Sequence, residues 1–172
     1  VMPPAQPFMP ASGGPGPYLE GGDIICYKDH LFVGESDIAG NRAGTEWLRN
    51  YIEPYGYTVH PMPMKGTVLH LLGTMVLVRE GVLLLFRDEL DCELPAPLRD
   101  WDVIELSEDE ARAYATVGVS LDDKRYVMPS HLGRVGEELS RRGVEPIEID
   151  YDHVSYWGGC ISCSTHAIAR DP

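Results

Sequence analysis

The chain has 172 residues, 14 basic against 27 acidic side chains, a formal net charge of -13 and 44% hydrophobic residues, which suits one globular core of ordinary composition. Nucleic-acid binding needs clustered Lys and Arg, so this acidic balance argues against it, and no apolar run reaches the ~18 residues of a membrane helix. No basic region leads into an apolar stretch as in a secretory signal, and the four cysteines do not demand a disulfide framework, so the expectation is a cytoplasmic protein with free thiols.

Residues 1–17 are rich in Pro and Gly and cannot form a regular helix. They read as a loop or arm, either inside a longer protein or as a tail before a complete domain. Residues 24–27 read as a strand, 28–30 as a turn and 31–34 as the return strand. A helix fits residues 43–51, with Trp47, Leu48, Tyr51 and Ile52 at helical spacing, and Pro54 ends it. Residues 57–62 then read as a strand, and 68–78, 82–86 and 102–106 supply three more. A short helix fits residues 108–114, with Ser107 as N-cap and Glu110 at the capping-box position.

The order of the first elements returns near the C-terminus. Residues 117–119 and 125–129 read as strands around a turn at 121–124, followed by a helix over 135–142 closed by Gly143 and a strand over 144–149. A strand–turn–strand–helix–strand unit therefore occurs at least twice, with a degenerate version between the copies. Such units are stable only when packed on their neighbours. The expected class is α/β, with strands toward a centre and helices outside.

Four features can carry chemistry. Glu20-Gly21-Gly22-Asp23 sets two carboxylates beside two glycines at a strand entrance, which suits a planar cation such as guanidinium; it also fits an ordinary turn. His70, in an apolar stretch, is either a satisfied core residue or a general acid–base group. Gly158-Gly159-Cys160-Ile161-Ser162-Cys163 is open to three readings: half of a zinc site, a redox dithiol, or one nucleophilic thiolate in a glycine-flanked loop. The loop from Gly34 to Asn41 follows a strand, where binding groups collect, and reads equally as a plain connection.

In this order, Glu-Gly-Gly-Asp, His-Leu and the Gly-Gly cysteine loop resemble the guanidino-modifying enzymes: arginine:glycine amidinotransferase, dimethylarginine dimethylaminohydrolase, arginine deiminase and their relatives. Gly34-Glu35-Ser36, the Thr45-Glu46-Trp47-Leu48-Arg49 helix and residues 124–150 extend the likeness over residues 19–170. The resemblance implies a pentein-type α/β propeller of repeated units, with about three of its five present here, residues 18–172 forming the C-terminal part of the catalytic domain. It implies Cys163 as nucleophile, His70 as general acid and base, Glu20 as the guanidinium-binding carboxylate and Asp23 as a supporting one. Ser162 stands beside the nucleophile, and Arg87 is a candidate partner for a substrate carboxylate, or else an exposed cation at a strand end. The implied substrate is arginine-like, with no cofactor and no metal.

The departures from the family pattern divide its members. Leu72 stands where deiminases and amidinotransferases carry Asp, and Ser162 where many members carry His; both lean toward the dimethylarginine hydrolases. Ile38 stands where those hydrolases place an arginine, while Asn41 and the Glu46-Trp47 helix look like the amidinotransferases. The sequence reading therefore favours amidino transfer to an acceptor amine, with hydrolysis to citrulline as the alternative and a non-catalytic pentein binding module as a rival of another class. A further guanidinium-binding aspartate of the family has no counterpart here. An open propeller exposes strand edges, so an N-terminal segment, a second chain or another copy in a homo-oligomer is expected to complete the ring.

Overall fold

The computed structural model describes residues 16–165. The described residues divide into two compact units: those up to Thr74 together with Arg87–Asp100, and Met75–Phe86 together with those from Trp101 onward. The architecture is mixed α/β, with three three-stranded sheets built to one plan.

In the first unit, β1 (Ile24–Tyr27) and β2 (His30–Glu35) form an antiparallel hairpin, and β2 then pairs in parallel with β3 (Thr58–Pro63). Parallel pairing needs a crossover, which is α1 (Arg42–Ile52). As the central strand, β2 is covered on both faces, which explains its unbroken buried run Leu31-Phe32-Val33-Gly34. Leu31, Val33, Leu48 and Val59 form a core cluster to which Leu19, Ile24, Trp47 and Ile52 add partial cover. Asn41 caps α1: its side-chain oxygen accepts from the Gly44 N–H at 2.9 Å and from the Tyr18 N–H at 3.1 Å. That contact draws the incoming chain against the helix, where a side chain at Gly44 would stand 1.9 Å from the Tyr18 carbonyl oxygen. The unit also holds the four-residue helix α2 (Leu71–Thr74).

The 68–78 strand reading is corrected here. Residues 66–70 are a run of bends, 71–74 are helical, and the strand begins only at Met75. The N–H groups of Thr67, Val68 and Leu71 are taken by carboxylate side chains rather than by a neighbouring strand, so no ladder forms.

In the second unit, β4 (Met75–Arg79) and β5 (Val82–Leu85) make the next hairpin, and β5 pairs in parallel with β6 (Asp102–Glu105). All four β5 residues are buried. Helix α3 (Glu108–Arg112) has the expected capping box between Ser107 and Glu110. The third sheet repeats the plan, with β7 (Val119–Ser120) antiparallel to β8 (Arg125–Pro129), then α4 (Gly133–Arg141), then β9 (Glu145–Ile149) parallel to β8. Gly143 follows α4 in the left-handed conformation, φ 73°. Strand β7 is shorter than the sequence suggests. Tyr126, fully buried, donates to the Ala115 carbonyl and accepts from the Gly118 N–H, both at 3.1 Å, and so ties residues 115–118 down by a side chain. The last helix is α5 (Asp152–Ser155). No helix among the described residues is long and apolar enough to cross a membrane.

Candidate active site

Glu20, Asp23 and His70 meet in the first unit. Leu19 packs on the core cluster, and the next four residues make a tight turn in which the Asp23 N–H donates to the Glu20 carbonyl at 3.0 Å. This turn leaves Glu20 half-exposed, with its Oε2 2.7 Å from His70 Nε2, and the His70 side chain 27% exposed. The imidazole lies directly against Gly22: a Cβ there would stand 2.7 Å from His70 Cγ and Nδ1. The second glycine of the motif thus makes room for the histidine ring, while a Cβ at Gly21 would meet nothing within 4 Å.

Asp23 points the other way and has no exposed surface. Its Oδ1 accepts the Leu71 N–H at 3.1 Å, fixing the residue after His70. Its carboxylate is hemmed in by Gly34 and Gly40, where added Cβ atoms would stand 2.8 Å from Oδ1 and Oδ2 respectively. Burial pushes its pKa up to about 6, against the opposing pull of the Leu71 N–H and the nearby His70, with Glu20 adding a further upward push. The sequence reading put Asp23 on the substrate; the structure turns it toward the segment that carries His70.

Cys160, Ser162 and Cys163 lie in the second unit, and the two thiols are unlike. Cys160 is 1% exposed, packed with Val117 and Ile161 against Tyr114, Val119, Val127, Ile149 and Tyr151. Burial pushes its thiol pKa up. Cys163 is exposed, on a 3-10 turn over Ser162–Ser164. That turn is anchored by Ser162 N–H to the Val117 carbonyl at 3.0 Å and by Ser164 Oγ, which donates to the Cys160 carbonyl at 3.0 Å and accepts from the Tyr151 hydroxyl at 2.9 Å. Gly158 and Gly159 approach it in the left-handed region, φ 89° and 88°, and a Cβ at Gly159 would stand 3.2 Å from Cys163 Sγ. The loop therefore presents one thiol outward and uses the other as a core side chain.

Arg87 is exposed, at the start of a 3-10 turn, Arg87–Glu89, after β5. Sequence reasoning missed two residues of the His70 surroundings. Ser36 Oγ donates to the Leu69 carbonyl at 3.3 Å while accepting from the Ile38 and Ala39 N–H groups, both at 3.2 Å. Glu89, 1% exposed, accepts from Thr67 and Val68. The signals for Ser36 were its place in a loop after a strand and its share in the Gly34-Glu35-Ser36 resemblance, neither of which gave it a role; Glu89 gave none.

No family model matches the chain. Among curated proteins it is 27% identical over 145 residues to the N(G),N(G)-dimethylarginine dimethylaminohydrolase of Pseudomonas aeruginosa, covering 84% of this chain and 54% of that one. It is 28% identical over 166 residues to a putative inosamine-phosphate amidinotransferase of Streptomyces griseus, covering 90% and 47%. A solved structure of the Pseudomonas dimethylaminohydrolase, complexed with citrulline, matches with a TM-score of 0.70 at 26% identity, over 84% of this chain and 54% of that one. The chain is a relative of the guanidino-modifying enzymes. The inosamine-phosphate amidinotransferase of Streptomyces griseus shares the fold at a TM-score of 0.79 and 21% identity, over 91% of this chain and 48% of that one. The chain spans about half the length of these guanidino-modifying relatives. An uncharacterized protein of Bacillus subtilis, YkgA, is also similar, 29% identical over 156 residues, 88% of this chain and 52% of that protein.

Proposed function

We propose that this chain supplies the Cys–His–Glu half of a guanidino-modifying site in a pentein-type propeller, and that the protein moves the amidino group of an arginine-like substrate to an acceptor amine. The observation that carries the reading is the 2.7 Å Glu20–His70 pair set against a glycine that leaves space for the ring, in a chain whose relatives include amidinotransferases and a dimethylaminohydrolase. The exposure of Cys163 beside buried Cys160 supports Cys163 as the nucleophile.

In this mechanism Glu20 holds the guanidinium by charge-assisted hydrogen bonds. The Cys163 thiolate attacks the central carbon, forming the S–C bond. The C–N bond to the departing amine then breaks, and a proton from the His70 imidazole goes to that amine. In the second half, His70 takes a proton from the acceptor amine as it attacks the thioether carbon, and the thiolate is released. Acid–base help of this kind contributes roughly 10²–10⁴-fold. Asp23 positions the His70 segment in place of the substrate contact read from the sequence, and Ser162 and Arg87 keep their places as substrate-side candidates.

Hydrolysis is the second reading. It is favoured by Leu72 and Ser162, which lean toward the dimethylarginine hydrolases. Incubation of the protein with arginine, with and without glycine or another primary amine, separates the two: ornithine released only with an acceptor marks transfer, and citrulline marks hydrolysis. Neither product, with a stable fold, would favour a binding module.

A further inference from the structure

Residues 66–70 lead to His70 without any regular secondary structure, so side chains set the path of this segment. Gly66 reverses the chain with φ 77°. Beyond it, Glu89 receives the segment: Oε1 accepts the N–H groups of Thr67 and Val68 at 2.9 and 3.3 Å, and Oε2 accepts the Thr67 hydroxyl. Glu89 is itself fixed from behind, because the strands of chain around it pair: Lys65 N–H donates to the Glu89 carbonyl and Asp91 N–H to the Pro63 carbonyl, both at 2.9 Å. A glutamate 1% exposed that meets three donors on two successive residues acts as a rigid post. Two residues further on stands the histidine that faces Glu20.

We infer that Glu89 is a positioning residue for His70: it fixes the turn at Thr67 and Val68 and thereby holds the imidazole on Gly22 and against Glu20. The inference deepens the proposed function and rests on it for its kinetic consequence. Its geometric content stands alone. Ser36 and Asp23 secure the segment nearer the ring, through Leu69 and Leu71, and Glu89 fixes its approach.

The test compares Glu89→Ala and Glu89→Gln in the full protein by two readouts. The first is the NMR cross-relaxation between the His70 ring protons and the Gly22 α-protons. The second is the split between kcat and KM for the arginine reaction. Since a displacement of about 1 Å can cost about 100-fold, Glu89→Ala is expected to lose the His70–Gly22 cross-peak and to lower kcat by tens to about 100-fold with KM little changed. Glu89→Gln keeps an acceptor for both N–H groups and is expected to restore the cross-peak and most of kcat. A folded Glu89→Ala that keeps the cross-peak and wild-type kcat overturns the inference, as does loss of both in Glu89→Gln and Glu89→Ala alike. If Glu89→Ala does not fold, Thr67→Val takes its place, removing only the hydroxyl donor: a weakened cross-peak is expected, and an unchanged one overturns the inference. A wild-type protein without guanidino activity would sink the functional reading, while the cross-peak comparison would still decide the role of Glu89.

Discussion

Replacing Gly22 by Ala perturbs the site through a single methyl group. The new Cβ would stand 2.7 Å from His70 Cγ and Nδ1, whereas ordinary contact begins near 3.4 Å, so the ring must retreat by about 0.7 Å. A retreat of that size along the Glu20 direction would stretch the 2.7 Å Nε2–Oε2 contact to about 3.4 Å, beyond the hydrogen-bond range. A misplacement approaching 1 Å can cost about 100-fold, or roughly 2–3 kcal/mol of barrier. The assay is kcat for product release from arginine, with thermal unfolding as the check on folding. Gly21→Ala is the control, because its Cβ would meet nothing within 4 Å. The expected result is a kcat lowered by tens to about 100-fold in Gly22→Ala and near wild type in Gly21→Ala, with both proteins folded. Equal, undiminished rates in the two variants would refute the claim that the glycine exists to seat the imidazole.

Asp23 gives stability a pH signature. Its pKa of about 6 in the fold lies above the ordinary 3.8, so its contribution is complete below pH 3.8 and is lost as pH rises through 6; the span is on the order of 3 kcal/mol. Asp23→Asn keeps the acceptor for Leu71 and should flatten the pH dependence of denaturant midpoints over this window; an unchanged slope would show that another group is responsible. Gly44→Ala forces a methyl to within 1.9 Å of the Tyr18 carbonyl oxygen and should cost about 3 kcal/mol, roughly 10 °C in Tm, while a shift under 2 °C would mean that residues 18–19 give way freely. Tyr126→Phe leaves the Ala115 carbonyl and the Gly118 N–H without their shared hydroxyl, an expected loss of about 1–3 kcal/mol that equilibrium unfolding would measure.

The parts of the fold written in local pattern were legible in the sequence. Short apolar runs on either side of turn residues located the β1–β2 and β7–β8 hairpins, and the apolar spacing of Trp47, Leu48 and Ile52 located α1. The Ser107–Glu110 box fixed the start of α3 because capping is a contact between residues three apart. The stretch before β4 failed for the opposite reason. Val68, Leu69, Leu71 and Leu72 look like a strand, but the Val68 and Leu71 donors are claimed by Glu89 and Asp23, 21 and 48 residues away. A short apolar run carries no information about such distant acceptors. The connection of the middle sheet carries 3-10 turns, over Arg87–Glu89 and Ala96–Leu98, in place of an α-helix. At the site, the residue types of Glu20 and His70 were readable from the motif. Their 2.7 Å contact, and the inward turn of Asp23, were not, since both depend on how residues about 50 positions apart are brought together. Of the two cysteines at CxxC spacing the resemblance singles out Cys163; that Cys160 fills the core while Cys163 faces out was not legible in the spacing.

The most direct measurement is peptide mass spectrometry of the full protein quenched with acid during turnover of arginine. An arginine-derived covalent adduct on Cys163 is the expected result, with Cys160 unmodified and the adduct absent from Cys163→Ser. Sustained turnover with no adduct on Cys163, or with the adduct on Cys160, would contradict the proposed nucleophile and the mechanism built on it.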